Sequence, residues 1–269
     1  MDKIRILGTA YSDARECYNT CFVISDEEGN NLLVDGGGGV QILHQLKHSG
    51  FVVSDMRNIF VTHQHIDHLF GIIWLIRILC QDYAKGLIEG DINIYGHDEV
   101  IPTIREMALK LLPGKHNKFV DSRIHLNVVH DAETLNIGGH EMTFFDIRST
   151  KIRQFGFTYK MTDGRKLTCL GDEPFYEWES QYVEGCSWLL HEAFCLKKDV
   201  DIFLPYEKHH STATDAAMNA EKFKVPNLII YHTEDTSPED HRQRYTDEAS
   251  QYYTGNLYVP DDMDLIELD

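Results

Sequence analysis

The sequence predicts one α/β domain over residues 1–269, with strands flanked by helices on both outer faces. Three observations carry that expectation. Short apolar, β-branched runs alternate with amphipathic stretches along the whole chain. No repeat, low-complexity tract or long linker interrupts them. At 42% hydrophobic residues, a chain of 269 residues can bury a substantial core.

In chain order, Lys3 to Leu7, Asn19 to Ser25 and Asn31 to Val34 read as strands, with the turn Asp26-Glu27-Glu28-Gly29-Asn30 between the last two. Asp35 is followed by four glycines, which let backbone pass close to another group. A phosphate loop is a weak alternative there, because no Gly-Lys-Ser/Thr follows. Val40 to Ser49 reads as a short helix stopped by Gly50. Asn58-Ile59-Phe60-Val61 is a strand, and Leu69 to Ala84 an apolar helix buried against a sheet. Asp91 to Tyr95 is a strand, and Asp98 to Leu112 a helix stopped by Pro113-Gly114. Arg123 to Val129 and Glu141 to Ile147 alternate as strands; Gln154 to Met161 and Lys166 to Leu170 form a hairpin around Thr162-Asp163-Gly164. Ser187 to Leu190 is a short buried strand, Thr212 to Phe223 a helix, Asn227 to Tyr231 a strand and Pro238 to Tyr252 a polar helix. From Glu234 onward acidic side chains heavily outnumber Arg242 and Arg244, which reads as a solvated acidic edge.

The formal net charge of −18 excludes broad, passive binding to nucleic acid or to an anionic membrane, since both need a basic surface. The most apolar run, Leu69 to Cys80, is broken by Arg77 and too short to span a bilayer. Met1-Asp2-Lys3-Ile4-Arg5 leads straight into a strand, without the pattern of a signal peptide. The six cysteines are scattered and read as reduced, mostly buried thiols of a cytoplasmic protein. The sequence leaves a homodimer open.

Chemistry concentrates where Phe60-Val61-Thr62 runs into His63-Gln64-His65-Ile66-Asp67-His68. Imidazole and carboxylate donors suit Zn²⁺, Fe²⁺ or Mn²⁺ better than Ca²⁺. His63 and His65, two apart at a strand end, can face one metal; Asp67 and His68, placed on the following turn, can face a second. Downstream, Leu170-Gly171-Asp172-Glu173 puts a carboxylate at a strand end, and Ile229-Ile230-Tyr231-His232 does the same for an imidazole. Taken alone, the first is an ordinary turn and the second a core or cap histidine.

His-x-His-x-Asp-His after a strand resembles the signature of the metallo-β-lactamase superfamily. The resemblance implies a four-layer αββα sandwich. It also implies metal ligands at His63, His65, Asp67, His68, Asp172 (bridging) and His232, with Asp35 lying beside the metals. His191-Glu192-Ala193-Phe194 and His210-Ser211-Thr212 further resemble the ribonuclease Z branch. There the histidine matching His210 protonates the leaving group and the glutamate matching Glu192 orients it. A helix cap at Ser211 or Thr212 is compatible with this.

Two departures narrow the expectation. The branch places another histidine shortly before the aromatic-Gly-aromatic segment, here Phe155-Gly156-Phe157, but the matching positions are Arg148-Ser149 and Thr150. The long arm that clasps transfer RNA would follow this strand, and only Thr162-Asp163-Gly164 stands there. The expectation is therefore a metal-dependent hydrolase of a small anionic ester, a phosphodiester by resemblance, with transfer RNA disfavoured. Two cations, zinc first among them and held in unequal sites, would activate a water; Asp67 would orient it, and Arg148, Lys151 and Arg153 stand where an anion could bind or where a strand edge is merely exposed. The alternatives are hydrolysis of another ester, thioester or lactone, and a metal-binding sensor or partner module without turnover.

Overall fold

In the computed structural model, which describes residues 1–269, the chain forms two seven-stranded sheets packed face to face. The first takes the order β14-β1-β2-β3-β4-β5-β6, with β1 Lys3–Gly8, β2 Cys21–Ser25, β3 Asn31–Val34, β4 Asn58–Phe60, β5 Ile92–Gly96, β6 Ile124–Val128 and β14 Leu265–Glu267. The second takes the order β13-β12-β11-β10-β9-β8-β7, with β7 Thr134–Ile137, β8 His140–Asp146, β9 Phe155–Lys160, β10 Lys166–Cys169, β11 Trp188–Glu192, β12 Asn227–Tyr231 and β13 Asn256–Tyr258.

Both sheets follow one plan. Strands β14-β1-β2-β3 and β7-β8-β9-β10 pair antiparallel, while β3 to β6 and β10 to β13 pair parallel. Ligand sites in such sheets lie beyond the carboxyl ends of parallel strands. Here those ends, on β3, β4, β10, β11 and β12, carry Asp35, His63, Asp172, Glu192 and His232.

Strands covered on both faces need apolar residues at successive positions rather than alternate ones. In the β4 segment, Phe60 enters the core between the sheets with Phe144, Phe157 and Trp188. Its neighbours Ile59 and Val61 face the helices α1 (Ile42–His48), α2 (Ile66–Lys85) and α3 (Val100–Leu111). A third core lies under α4 (Ala213–Lys222) and α5 (His241–Ala249) on the far side of the second sheet. Three apolar layers separate four structural ones, so the expected αββα sandwich is the architecture found.

The glycine run after Asp35 has a steric reason. A Cβ at Gly71, in the first turns of α2, would lie 1.7 Å from the Gly36 carbonyl oxygen, and Gly71 N donates to Gly37 O at 2.8 Å. Only glycines let β3 and α2 meet this closely, and the contact locks the metal-motif helix onto the sheet.

Three expectations need correction. Asp67 and His68 lie in the first turn of α2, whose N-cap is His65, and not on a preceding turn. An acidic residue in a helix's first turn is favoured by the macrodipole; the helix simply starts before its apolar run. The short strands β7, β13 and β14 were not expected. And the acidic C-terminal stretch is not simply solvated: Glu234, Asp235 and Asp262 have ordered structural partners, Asp235 Oδ2 accepting from the backbone N–H of Arg15, Glu16 and Cys17 at 2.7, 2.6 and 3.2 Å. Asp262 accepts from Thr9 N at 3.0 Å and Tyr18 N at 2.6 Å.

Candidate metal centre

The strand β4 continues as an extended segment through Thr62, held by Val61 N to Tyr95 O (2.9 Å) and Phe155 N to Thr62 O (3.0 Å). That brings His63 to the rim between the sheets, completely buried. Two residues later His65 takes the N-cap position of α2, and the helix turns Asp67 and His68 back towards His63. Asp172 comes from beyond β10 and His232 from beyond β12.

All six expected ligands converge. Donor atoms of His63, His65 and Asp172 lie within 4.8 Å of one another, as do those of Asp67, His68 and His232. Asp172 Oδ2 links the two groups, at 3.6 Å from His63 Nε2, 3.4 Å from His68 Nε2 and 3.6 Å from His232 Nε2.

The other nitrogen of each buried ring is fixed from outside. Asp35 accepts from Thr62 N and Thr62 Oγ1 at 2.8 Å each and sits 2.7 Å from His68 Nδ1. Thr62 Oγ1 lies 2.9 Å from His63 Nδ1, and Thr20 Oγ1 lies 3.1 Å from His232 Nδ1. Three imidazoles therefore present Nε2 to one space. Partners of this kind set the tautomer and aim of metal-binding histidines. Asp35 (φ 59°) and His232 (φ 58°) both hold left-handed backbone, a strain that clusters at functional sites.

The residues fit divalent cations. Asp172 Oδ1 and His68 Nε2 are buried without a hydrogen-bond partner, a costly state that a cation would relieve. His63 Nε2 and His65 Nδ1 share a hydrogen bond at 2.8 Å, so both nitrogens point into the same space. Burial pushes His63 well below the ordinary imidazole range and His232 down to about 4, so both stay neutral. For His68 burial acts downward too, but the carboxylates of Asp67, Asp35 and Asp172 outweigh it and hold the ring protonated, doing what a cation would do. Burial alone would raise the Asp67 and Asp172 carboxyls, and the surrounding imidazoles bring both below the usual range.

These directions fix the pH response of the cation-free protein. His63 and His232 carry depressed folded-state values, so the unfolded chain binds more protons as pH falls below 6.5. Their stabilisation is present above 6.5 and is lost as pH falls below it, for His232 towards about 4. The raised value of His68 acts oppositely, losing its contribution only above 6.5. Thermal unfolding of chelator-treated protein should show its midpoint falling from pH 6.5 to 4; a midpoint flat across that range would mean these rings are not buried as described.

Beside the centre stands the expected proton-donor pair. Glu192 is completely buried; its Oε2 accepts from Phe194 N at 3.1 Å and lies 3.7 Å from His210 Nδ1, while Oε1 accepts from Ser211 N. Burial would raise its carboxyl, but His210 brings it below the ordinary value. The His210 ring stacks 5.4 Å from that of His232. Thr212, not Ser211, caps α4, in a reciprocal capping box with Asp215.

Of the three cations near the absent histidine, only Lys151 faces the centre. Its Nζ lies 3.8 Å from the buried Glu173 carboxylate and donates to Lys208 O at 3.1 Å. Arg148 turns away over the Trp178 ring at 4.4 Å, and Arg153 is taken up by Asp98 and Asp146. Thr150 is exposed, its hydroxyl 3.4 Å from His209 Nδ1. Sequence reasoning missed Thr20, Thr62 and Glu173; a threonine directly before the His-x-His motif was the one available signal.

Comparisons with known proteins bear on the family and the fold. The sequence profile described as anti-Pycsar protein Apyc1 matches residues 2–248. The ribonuclease Z of Bradyrhizobium diazoefficiens is 24% identical over 86% of this chain and 89% of its own length. Among solved structures, the metallo-β-lactamase fold protein YhfI from Bacillus subtilis superposes with TM-score 0.79, at 16% identity over 98% of each chain. Human tRNase Z, short form, does so with TM-score 0.73, at 22% identity over the whole of both chains.

Proposed function

The chain belongs to the anti-Pycsar protein Apyc1 family, as a ribonuclease Z-like member of the metallo-β-lactamase superfamily, and from that premise we propose that it is a metal-dependent hydrolase of small phosphodiesters. The observation that carries this is the pair of ligand groups joined through Asp172, with the proton-donor pair Glu192–His210 alongside. Residues 1–269 act as one hydrolase domain.

His63, His65 and Asp172 would hold one cation, and Asp67, His68, His232 and Asp172 the other; the donor set suits zinc, with Fe²⁺ or Mn²⁺ as substitutes. Such cations would supply a water activated near neutral pH and charge stabilisation for the phosphoryl oxygens. Asp67, beside His68 at the start of α2, would orient the attacking water. Lys151 attracts the anionic ester. His210 gives its proton to the leaving oxygen, and Glu192 steadies the imidazolium before it does so. A proton donor matters when an alkoxide leaves and is superfluous for a thiolate or for a protein that only binds metal; this favours an oxygen ester over a thioester or a metal-binding module, and the phosphodiester follows from the family.

Transfer RNA is disfavoured. Strands β9 and β10 are joined by a tight turn, with Met161 N donating to Arg165 O at 2.9 Å, and the net charge of −18 opposes a polyanion. No helix is long and apolar enough to cross a membrane. A panel tests the reading: zinc-reconstituted protein with bis(p-nitrophenyl) phosphate, cyclic nucleotides, dinucleotides, p-nitrophenyl acetate, a lactone and a transfer-RNA precursor. Turnover should be fastest on a small phosphodiester. Preference for the acetate or lactone, or efficient salt-sensitive cleavage of the precursor, would contradict it.

The two cations should be held unequally. The His63/His65 group has three ligands, one of them shared and one, His65, half-exposed. The other group is fully buried and gains Asp172 as a fourth. Mild chelation should remove the His63/His65 cation first, and Thr150→His should tighten it; two sites of equal affinity, unaltered by the substitution, would refute the assignment.

A further inference from the structure

The turn that carries the proton donor is bent at both ends. Leu204 (φ 51°) and His209 (φ 57°) hold left-handed backbone, a costly conformation for side chains of their size. Between them Lys208 N donates to Leu204 O at 3.2 Å and His210 N to Pro205 O at 2.8 Å. Leu204, Tyr206, Glu207 and Lys208 are exposed, so packing does little to hold the turn. Backbone of this kind persists only where its surroundings over-determine it.

Two groups do so. Past the turn, Glu192 Oε1 accepts from Ser211 N. On the turn itself, Lys151 Nζ donates to Lys208 O at 3.1 Å and to His209 O at 3.5 Å, and Thr150 Oγ1 lies 3.4 Å from His209 Nδ1. Lys151 is fixed in its turn. Its Nζ lies 3.8 Å from Glu173 Oε1, on the residue after the shared ligand Asp172, and that oxygen also accepts from Ser149 Oγ. Ser149 Oγ accepts from Lys151 N at 3.1 Å and Ile152 N at 3.3 Å. The Glu173 carboxylate is buried, so solvent and salt screen this pair little. An ammonium has three donors, enough for both carbonyls and the carboxylate together.

Thr150 is the position at which the ribonuclease Z branch places another histidine. In this chain the segment reaches the turn of the proton donor instead. We propose that Lys151 is a positioning residue for His210: it ties the carbonyls of Lys208 and His209 to Glu173 and so fixes the aim of the imidazole that follows. This role is additional to attracting the ester, and only its kinetic consequence rests on the hydrolase reading above.

The test uses the zinc-reconstituted full chain and Lys151→Met, which keeps the stem and removes every donor. Amide hydrogen exchange at residues 205–211 should quicken about tenfold or more, the scale of a lost hydrogen bond to a charged group, while β11 and β12 exchange as in wild type. On a cyclic nucleotide, which releases an alkoxide, kcat should fall about tenfold; on bis(p-nitrophenyl) phosphate it should stay within about twofold, with zinc content unchanged. Lys151→Arg, with charge and donors retained, should recover most of both losses. Lys151→Gln, uncharged and one bond shorter, replaces the methionine variant if that does not fold. Exchange unchanged at 205–211 or quickened throughout the chain, or kinetics in which only KM rises and does so equally on both esters, overturns the proposal. Exchange needs no turnover, so a turn that loosens in Lys151→Met in a protein that cleaves no phosphodiester would sink the hydrolase reading and leave the tie standing.

Discussion

Asp172→Ala is expected to release both cations and to lower turnover by about 10³-fold or more, the largest effect of any single replacement. Other ligands serve one group; Asp172 Oδ2 stands at 3.4 to 3.6 Å from imidazoles of both. Removing it takes away the one carboxylate common to the two cations, and losing even a single principal source of transition-state charge stabilisation costs about 10²–10³-fold. The fold should survive, because the carboxylate caps no helix and its Oδ1 makes no hydrogen bond. Asp172→Asn, of the same shape, should keep thermal stability while losing cations. Metal analysis beside circular dichroism checks this; a folded variant that retains both cations would show that Asp172 does not join the groups.

His210→Ala should lower kcat by about 10²–10⁴-fold, the range for a general acid, with cation content unchanged. The separation from Asp172→Ala is diagnostic. His210 is stacked on a ligand and stands 3.7 Å from Glu192, but is not part of either ligand group. The loss should depend on the leaving group. An ester that releases an alkoxide needs the proton and should show the full effect; one that releases p-nitrophenolate, stable as the anion, should show little. Parallel loss of cations, or equal loss on both esters, would remove His210 from the donor's role.

Much of this centre was legible because its ligands sit at the ends of strands that are themselves legible. Runs such as Leu228-Ile229-Ile230-Tyr231 declare a buried strand, and the histidine after it is placed by that fact. Asp35 stood out by its glycines, whose purpose appears only where Gly36 meets Gly71. Other features have no local signal. Thr20 reaches His232 from 212 residues away, through the pairing of distant segments. The strands Thr134–Ile137, Asn256–Tyr258 and Leu265–Glu267 are three or four residues long and half polar, and exist because a sheet edge was there to receive them.

Charge was the least legible property. The acidic C-terminal stretch reads as solvated by composition, yet Asp235 and Asp262 spend their carboxylates on backbone N–H groups of the loop between β1 and β2. Arg148, Lys151 and Arg153 look alike in sequence, and three different partners send only Lys151 towards the centre. Composition gives a sum; the fold decides which charges are already taken.

The central claim is that two cations, joined by Asp172, make this site a hydrolase of small phosphodiesters. Its most direct measurement is the titration of zinc into chelator-treated protein, with heat and bis(p-nitrophenyl) phosphate hydrolysis recorded on the same samples. Two binding steps of unequal affinity, with hydrolysis rising as the second and weaker step fills, is the result expected. A protein that binds two zinc ions and hydrolyses nothing, or hydrolyses equally well with none, would contradict it.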